Sequence, residues 1–278
     1  MEENKKFKRI VVKLGTNVLV SKGDLDDLIY ANIADQVAEL SLQGIEVIIV
    51  SSGSIKAGEE CLQGFKMDID GYPEEILSVA GIPNWTSKWS AAFSRRGIPM
   101  APILVTYGSW KNKYERANIK NRIPICLGFG IIPVINENDF VSDKEIKLMT
   151  KGISENDRLA RMVAKLAGAD GVLFLTRVGG IRKNYLQNSK EEFYDVINVD
   201  KLPLELHIAQ NVSGDGRGGM NAKLKAGIYC ARRGMYTVIG GLQEEDAILK
   251  FARKEKIGTL LTSDVPKSIF KKFILKFF

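Results

Sequence analysis

Small and charged residues follow several short apolar runs of the chain, and these are the residues that could do chemistry. The first run ends in Lys13, Leu14 and Gly15, where a lysine charge and consecutive backbone N–H groups could bind phosphate oxygens. A strand lysine that only extends toward the edge of a sheet is the alternative interpretation of Lys13. The second run ends in a small polar loop at 51–54, before a helical stretch. Such a loop could bind an anion at the helix N-terminus or simply cap the helix.

Two further polar segments could contribute to the same chemistry. The fourth apolar run is followed by Asn136, Glu137, Asn138 and Asp139, which suit either a turn or a ligand site. The segment 152–157 opens a helix, where Ser154 and Asp157 could form a pair like a capping box. The functional alternative is that Asn156 and Asp157 point into a site, with Asp157 orienting two lysines.

A glycine-rich segment lies at 213–223. Gly214, Gly216 and Gly219 fit the GxGxxG pattern of dinucleotide-binding folds. That pattern also needs a clear strand before it and an acidic residue at the end of the next strand, and the chain has neither. We therefore reject dinucleotide binding. The glycines still predict a phosphate-compatible loop, and Lys223 lies within the first turns of the helix that follows.

The elements that must position these residues alternate along the chain. Near-continuous apolar runs, typical of strands buried on both faces, lie at 9–13, 45–50, 98–105, 131–135, 171–175 and 236–239. Helical patterns lie at 26–42, 74–95, 111–127, 154–167 and 220–233. This alternation predicts an α/β fold, a three-layer αβα sandwich with a mostly parallel central sheet. Ligands of such sheets bind at the carboxyl ends of the strands. The irregular stretch 177–203 is predicted to be a β-rich insert.

Composition narrows the class of protein. Of the 278 residues 45% are hydrophobic and 26% charged, as in globular proteins. The net charge of +7 favours anionic partners such as nucleotides, acidic metabolites, nucleic acid or a membrane surface. Three widely separated cysteines and one histidine argue against a disulfide framework, a zinc site or a serine–histidine–aspartate triad. With no signal peptide and no run long enough for a membrane helix, we expect a cytoplasmic protein and no membrane partner.

Six segments, in this order, resemble the amino acid kinase family. They are VVKLGTN (11–17), VSSGSIKAG (50–58), IPVINENDF (132–140), ENDRLA (155–160), AGADGVLFLT (167–176) and GGMNAKLKAG (218–227). VINEND and the loop similar to SGSIKAG resemble the glutamate 5-kinase branch in particular. The resemblance implies an αβα sandwich that transfers the γ-phosphoryl group of MgATP to the γ-carboxylate of L-glutamate, as the first step of proline biosynthesis. ATP and Mg²⁺ are the implied cofactors.

The resemblance also implies roles for individual residues. Lys13 and Lys223 would stabilise the transferring phosphoryl group, and Asp157 would organise the two lysines. The implied substrate ligands are Ser52, Gly53, Asp139 and Asn156. The implied nucleotide-binding residues are Lys13, Gly15, Thr176, Arg177, Arg217, Gly218, Gly219, Met220 and Lys223. No residue of the protein is predicted as a metal ligand.

The chain departs from the family pattern at a few positions. These are Arg177, Arg217, Ala222 and a substrate-facing loop at 79–83. They leave open a non-catalytic sensor of amino acid or nucleotide, or a related kinase with another acidic substrate. The retained lysines and Asp157 favour a kinase. Nucleic-acid binding, suggested by the net charge and a basic N-terminus, has no accompanying recognition module and is not expected.

The resemblance covers 9–262, and we predict a single domain over 1–278 with a basic, apolar tail at 263–278. Many family members carry a C-terminal PUA domain, which we do not expect here because too few residues follow 262. Family members are commonly dimers or tetramers, so a homo-oligomer is expected. Because glutamyl phosphate is labile, glutamyl phosphate reductase is an implied functional partner.

Overall fold

An eight-stranded sheet forms the centre of the structure, a computed structural model that describes residues 6–141, 155–183, 192–206, 219–242 and 245–264. In spatial order its strands are β5 (Met100–Val105), β6 (Ile132–Glu137), β4 (Glu46–Ser51), β1 (Arg9–Leu14), β7 (Gly171–Thr176), β9 (Tyr236–Gly241), β10 (Gly258–Thr262) and β8 (Val196–Asn198). A separate hairpin pairs β2 (Val20–Ser21) with β3 (Asp24–Leu25).

The sheet is mostly parallel, and β1 lies in its middle. The strands from β5 to β9 in that order pair parallel with one another, whereas β10 pairs antiparallel with β9. In register, Lys13 of β1 pairs with Val50 of β4 on one side and Phe174 of β7 on the other. Parallel strands end on the same side, so β1, β4, β6 and β7 all end at one edge, here called the carboxyl edge.

Helices cover both faces of the sheet. Packed on one face are α2 (Asp27–Leu42), α3 (Ser54–Gly64), α4 (Glu74–Ser94) and α9 (Ala247–Ala252). Packed on the other are α6 (Lys113–Gly128), α7 (Glu155–Ala167) and α8 (Met220–Ala231). The short helices are α1 (Thr16–Leu19), α5 (Tyr107–Lys111) and a 3₁₀ turn at Asp139–Val141. Within the described ranges, no helix is both long and apolar enough to cross a membrane.

The alternation of side chains along β1 divides the core into two parts. Ile10, Val12 and Leu14 belong to the apolar cluster beneath α2 and α4, whereas Val11 belongs to the cluster beneath α7 and α8. Successive side chains of a strand point to opposite faces, so Lys13 shares the face of Val11. The lysine therefore enters the layer between the sheet and α7.

The predicted three-layer αβα sandwich with a mostly parallel sheet is confirmed. Each predicted strand and helix has its counterpart within a few residues. Strand β6 extends to Glu137, so Asn136 and Glu137 belong to the strand and not to the turn after it. The stretch 79–83, expected as a substrate-facing loop, lies inside α4, because the helical apolar pattern of 74–95 continues through it.

Two glycines bring α3 into backbone contact with α4. A Cβ atom at Gly58 would lie 1.8 Å from the carbonyl oxygen of Leu77, and one at Gly81 would lie 1.9 Å from the carbonyl oxygen of Ser54. Neither position has room for a side chain. The contact holds the N-terminus of α3, which follows β4 at the carboxyl edge, firmly on α4.

We expect Gly58→Ala to lower the free energy of unfolding by about 1–3 kcal/mol, because the added methyl group must push α3 away from α4. Gly64→Ala, at the end of the same helix, is the matched control, since a Cβ atom there meets nothing within 4 Å. Urea unfolding followed by fluorescence of the buried Trp85 and Trp89 would measure both. Equal stability of Gly58→Ala and the wild type would contradict the contact.

Candidate active site

A buried carboxylate holds two lysines at the carboxyl edge. Lys13 Nζ lies 2.8 Å from Asp157 Oδ1, and Lys223 Nζ lies 3.7 Å from Asp157 Oδ2. The exposed fractions of the side chains are 3% for Lys13, 0% for Asp157 and 13% for Lys223. The structure thus brings together the three residues to which the resemblance gave catalytic roles.

The end of one strand and the first turns of two helices position Lys13, Asp157 and Lys223. Lys13 is the last residue but one of β1, while Asp157 and Lys223 lie in the first turns of α7 and α8. Both helices begin at the carboxyl edge and run back along the same face of the sheet. Side chains of their first turns therefore lie beside the end of β1.

The surroundings of Lys223 change its acidity. Burial lowers the pKa of the Lys223 ammonium group below its ordinary value of 10.5, and the nearby charge of Lys13 acts in the same direction. The Asp157 carboxylate opposes both effects. An anion bound beside the two lysines would favour the charged form of Lys223, so ligand binding and protonation are coupled at this position.

Gly15 keeps one side of this group open. Its Cβ, if present, would lie 3.4 Å from Lys13 Nζ, in van der Waals contact with the ammonium group. Its carbonyl oxygen accepts a hydrogen bond from the backbone N–H of Val18, which starts the short helix α1. The absence of a side chain therefore leaves the approach to the Lys13 ammonium clear.

Ser52 and Asn156 form a hydrogen bond at the carboxyl edge. Asn156 Nδ2 donates a hydrogen bond to Ser52 Oγ at 2.7 Å, which ties the loop after β4 to the first turn of α7. The side-chain oxygen of Asn156 is buried and accepts no hydrogen bond from the described residues. Buried polar atoms are usually satisfied, so this oxygen is a candidate acceptor for a ligand donor.

Gly53 turns the chain from β4 into α3. Its φ of +108° lies in the left-handed region that favours glycine. The turn brings the N-terminus of α3 to the carboxyl edge, beside Ser52. The first N–H groups of a helix lack partners within the helix and attract negative charge, so this end of α3 is suited to an anionic group of a ligand.

Asp139 is anchored to α4. Ser78 Oγ donates to Asp139 Oδ2 at 2.7 Å, and it also shares a hydrogen bond of 2.9 Å with Ser54 Oγ. Ser54 Oγ in turn accepts from Asn136 Nδ2 at 3.0 Å. A continuous line of side chains thus connects β6, α3 and α4 with Asp139.

Two tryptophans of α4 form hydrogen bonds with the last residue of β4 and with the loop that follows it. Trp89 Nε1 donates to Ser51 Oγ at 3.2 Å, and Trp85 Nε1 donates to the carbonyl oxygen of Ser52 at 3.1 Å. Sequence reasoning did not identify Trp85, Trp89 or Ser78 as part of the site. The sequence signals the two tryptophans only by their spacing of one helical turn, which is equally typical of a core helix. It gives no signal for Ser78.

The predicted nucleotide side is only partly described. The Thr176 hydroxyl group donates to the carbonyl oxygen of Val178, so it shapes the turn after β7. Arg177 is exposed at that turn, and Gly219, also exposed, precedes α8, which begins at Met220. Arg217 and Gly218 lie outside the described residues, as does Ser154 of the predicted capping box.

The basic N-terminal residues make contacts within the fold. The Arg9 guanidinium pairs with Glu46 at 2.7 Å, and Lys6 Nζ donates to the carbonyl oxygen of Gln43 at 2.9 Å. The first contact joins the starts of β1 and β4, and the second joins the residues before β1 to the segment between α2 and β4. The two residues therefore contribute to the packing of the sheet.

Two kinases of known structure share this architecture. The UMP kinase from Bacillus anthracis superposes with a TM-score of 0.61 at 17% identity, covering 94% of this chain and 98% of that one. The carbamate kinase from Giardia lamblia bound to AMP-PNP superposes with a TM-score of 0.63 at 18% identity, covering 92% and 99%. At these identities the likeness establishes the fold alone.

The sequence comparison defines the family. The profile of the amino acid kinase family matches residues 8–241, and this chain belongs to that family. Among its curated relatives, the glutamate 5-kinase of Methanosarcina mazei is 34% identical over 282 residues, which cover 95% of this chain and 71% of that protein. The glutamate 5-kinase of Methylococcus capsulatus is 33% identical over 268 residues, covering 95% and 70%. The resemblance described from the motifs is confirmed.

We expect Asp157→Asn to lower the free energy of unfolding by about 3–5 kcal/mol, because it leaves two lysine charges buried without their shared carboxylate. Lys13→Met in the Asp157→Asn background should recover part of that loss, since it removes one of the two charges. Urea unfolding of wild type, both single variants and the double variant would give the coupling energy. Additive effects would show that Lys13 and Asp157 do not interact.

Proposed function

We propose that this protein transfers the γ-phosphoryl group of ATP to the γ-carboxylate of L-glutamate, which yields glutamyl 5-phosphate and ADP. The observation that carries the proposal is the buried group of Lys13, Asp157 and Lys223 at the carboxyl edge. Identity of 34% to a glutamate 5-kinase over 95% of the chain supports glutamate as the substrate.

The chemistry requires alignment and charge more than proton transfer. An oxygen of the γ-carboxylate attacks the γ-phosphorus, and the bond from phosphorus to the bridging oxygen breaks as ADP leaves with the electron pair. The attacking carboxylate is already ionised near neutral pH, so no general base is needed. Lys13 and Lys223 would stabilise the negative charge of the transferring group, and Asp157 would keep the two ammonium groups in place.

The substrate would lie between the loop after β4 and the turn after β6. Asp139 offers a carboxylate suited to the α-ammonium group of an amino acid. Ser52 and the buried oxygen of Asn156 offer further polar contacts. Gly53 would contribute a backbone N–H group at the N-terminus of α3.

The nucleotide would lie on the side of β7 and α8. We assign it Gly15, Thr176, Arg177 and the segment 217–220, together with the two lysines. Among the residues that the structure describes, no group of three or more His, Cys, Asp or Glu side chains could hold a metal ion. We propose that Mg²⁺ arrives with the nucleotide, since Mg²⁺ is commonly bound through substrate phosphates.

The proposal extends to the organisation of the protein. We propose one catalytic domain with its core at 9–262, a homo-oligomer, and functional coupling to glutamyl phosphate reductase. The last follows from chemistry, because an acyl phosphate hydrolyses readily and a reductase must consume it promptly. A cytoplasmic location stays a prediction from the sequence.

We expect Lys13→Ala to lower kcat by roughly 10²–10³, because one positive charge is lost from the transition state. The assay mixes purified protein, MgATP, glutamate and hydroxylamine, and measures glutamyl hydroxamate and ADP. Lys225→Ala, two residues beyond Lys223 on α8, is the matched control and should keep kcat near that of the wild type. Circular dichroism would verify that each variant folds.

The outcomes separate the remaining hypotheses. An unchanged kcat for Lys13→Ala would remove Lys13 from the mechanism. Absence of product from the wild type with glutamate, followed by turnover with aspartate or another acid, would indicate a related kinase. Absence of product with every acid, together with thermal stabilisation by ATP or glutamate, would support the sensor.

The pKa of Lys223 predicts the response of activity to pH. The ammonium form is the one that stabilises phosphate, so kcat/KM should fall as pH rises through the lowered pKa, below the ordinary lysine value of 10.5. Lys223→Arg keeps the charge to much higher pH, so its remaining activity should decline at higher pH than that of the wild type. Coincident alkaline limbs in the two profiles would assign the decline to another group.

A further inference from the structure

The line of hydrogen bonds that ends on Asp139 runs in one direction. A carboxylate only accepts, so the single hydroxyl hydrogen of Ser78 goes to Asp139 Oδ2. Ser78 Oγ must then accept from Ser54, whose own oxygen accepts from Asn136 Nδ2. Donors and acceptors are therefore ordered from Asn136 through Ser54 and Ser78 to Asp139.

This line is buried along most of its length. The exposed fractions of Asn136, Ser54 and Ser78 are 1%, 3% and 2%. Hydrogen bonds in such surroundings polarise one another, and bonds to an ionised group are the stronger ones. The line therefore contributes a fixed donor that orients the Asp139 carboxylate, although Asp139 itself lies in a 3₁₀ turn that is only partly buried.

The position of Ser78 is itself held tightly. Gly81, one helical turn further along α4, lies against the backbone of α3, and Trp85, the next turn, donates to the carbonyl oxygen of Ser52. Three consecutive turns of α4 thus contact the substrate side of the site. Of Ser78, Gly81 and Trp85, it is Ser78 that donates a hydrogen bond to a carboxylate.

We propose that Ser78 is a positioning residue that sets the affinity for the amino acid substrate by orienting Asp139. The inference rests on the proposed function, because it takes Asp139 as the ligand of the α-ammonium group. Ser78 does not contact the substrate. It acts through Asp139, and it lies on α4, on the face of the sheet opposite to the helices that carry Asp157 and Lys223.

The test is steady-state kinetics of Ser78→Ala in the hydroxylamine assay. The KM for glutamate should rise about 10-fold, the size expected for losing one hydrogen bond to a charged group, while kcat and the KM for ATP stay within about 2-fold. Ser90→Ala, an exposed serine on the same helix, is the matched control and should leave all three constants unchanged.

The double variant with Asp139→Ala separates positioning from general packing. If Ser78 acts through Asp139, then Ser78→Ala should add nothing to the KM of Asp139→Ala. Ser78→Cys keeps a similar size with a weaker donor, so its KM should lie between those of the wild type and Ser78→Ala. It also serves if Ser78→Ala does not fold.

The activity of the wild-type protein distinguishes a failure of this inference from a failure of the proposed function. An active wild type in which Ser78→Ala leaves the KM for glutamate unchanged, or raises it equally in the Asp139→Ala background, would overturn the role of Ser78 alone. An inactive wild type would overturn the proposed function, and this inference with it.

Discussion

The contact between the Lys13 ammonium and the Asp157 carboxylate is the constraint on which the site depends. Two charges are withdrawn from water between the central strand and α7, and this costs free energy that only close approach can offset. The pair is 2.8 Å apart and almost fully buried. It therefore needs the first turn of α7 to pack against the end of β1, and α8 to bring Lys223 to the other carboxylate oxygen. An exposed pair would impose no such requirement.

The two helical layers support different halves of the site. The layer of α7 and α8 supplies Asp157 and Lys223, which together with Lys13 of β1 form the charged group that the proposed reaction uses on phosphate. The opposite layer supplies α4, which holds the loop after β4 through Trp85 and holds Asp139 through Ser78. The close approach of α3 and α4 at Gly58 and Gly81 makes that support rigid. The site thus lies where the sheet ends and both layers meet.

A reaction with an ionised nucleophile suits this chain. Its one histidine is not needed as a base, and the buried groups provide positive charge and fixed hydrogen bonds instead. The solved kinases at 17% and 18% identity share the architecture, while the glutamate 5-kinases share a third of the sequence. This difference in sequence identity is expected, because a fold tolerates many sequences, whereas substrate recognition depends on particular side chains.

The sequence by itself determined the architecture and the family. Apolar runs alternating with helical patterns predict the αβα sandwich, and Lys13, Ser52 and Asp139 lie at or just after the ends of those runs, because parallel strands collect their ligands at one edge. Only the tertiary structure decided how these residues pair. The spacing of Lys13, Asp157 and Lys223 along the chain does not predict that one carboxylate pairs with both lysines. In the sequence, Ser78 is an ordinary residue of a predicted helix. Its contacts with Ser54 and Asp139 form only when α4 packs against α3 and the turn after β6. Contacts between distant segments depend on packing geometry, which local patterns do not encode.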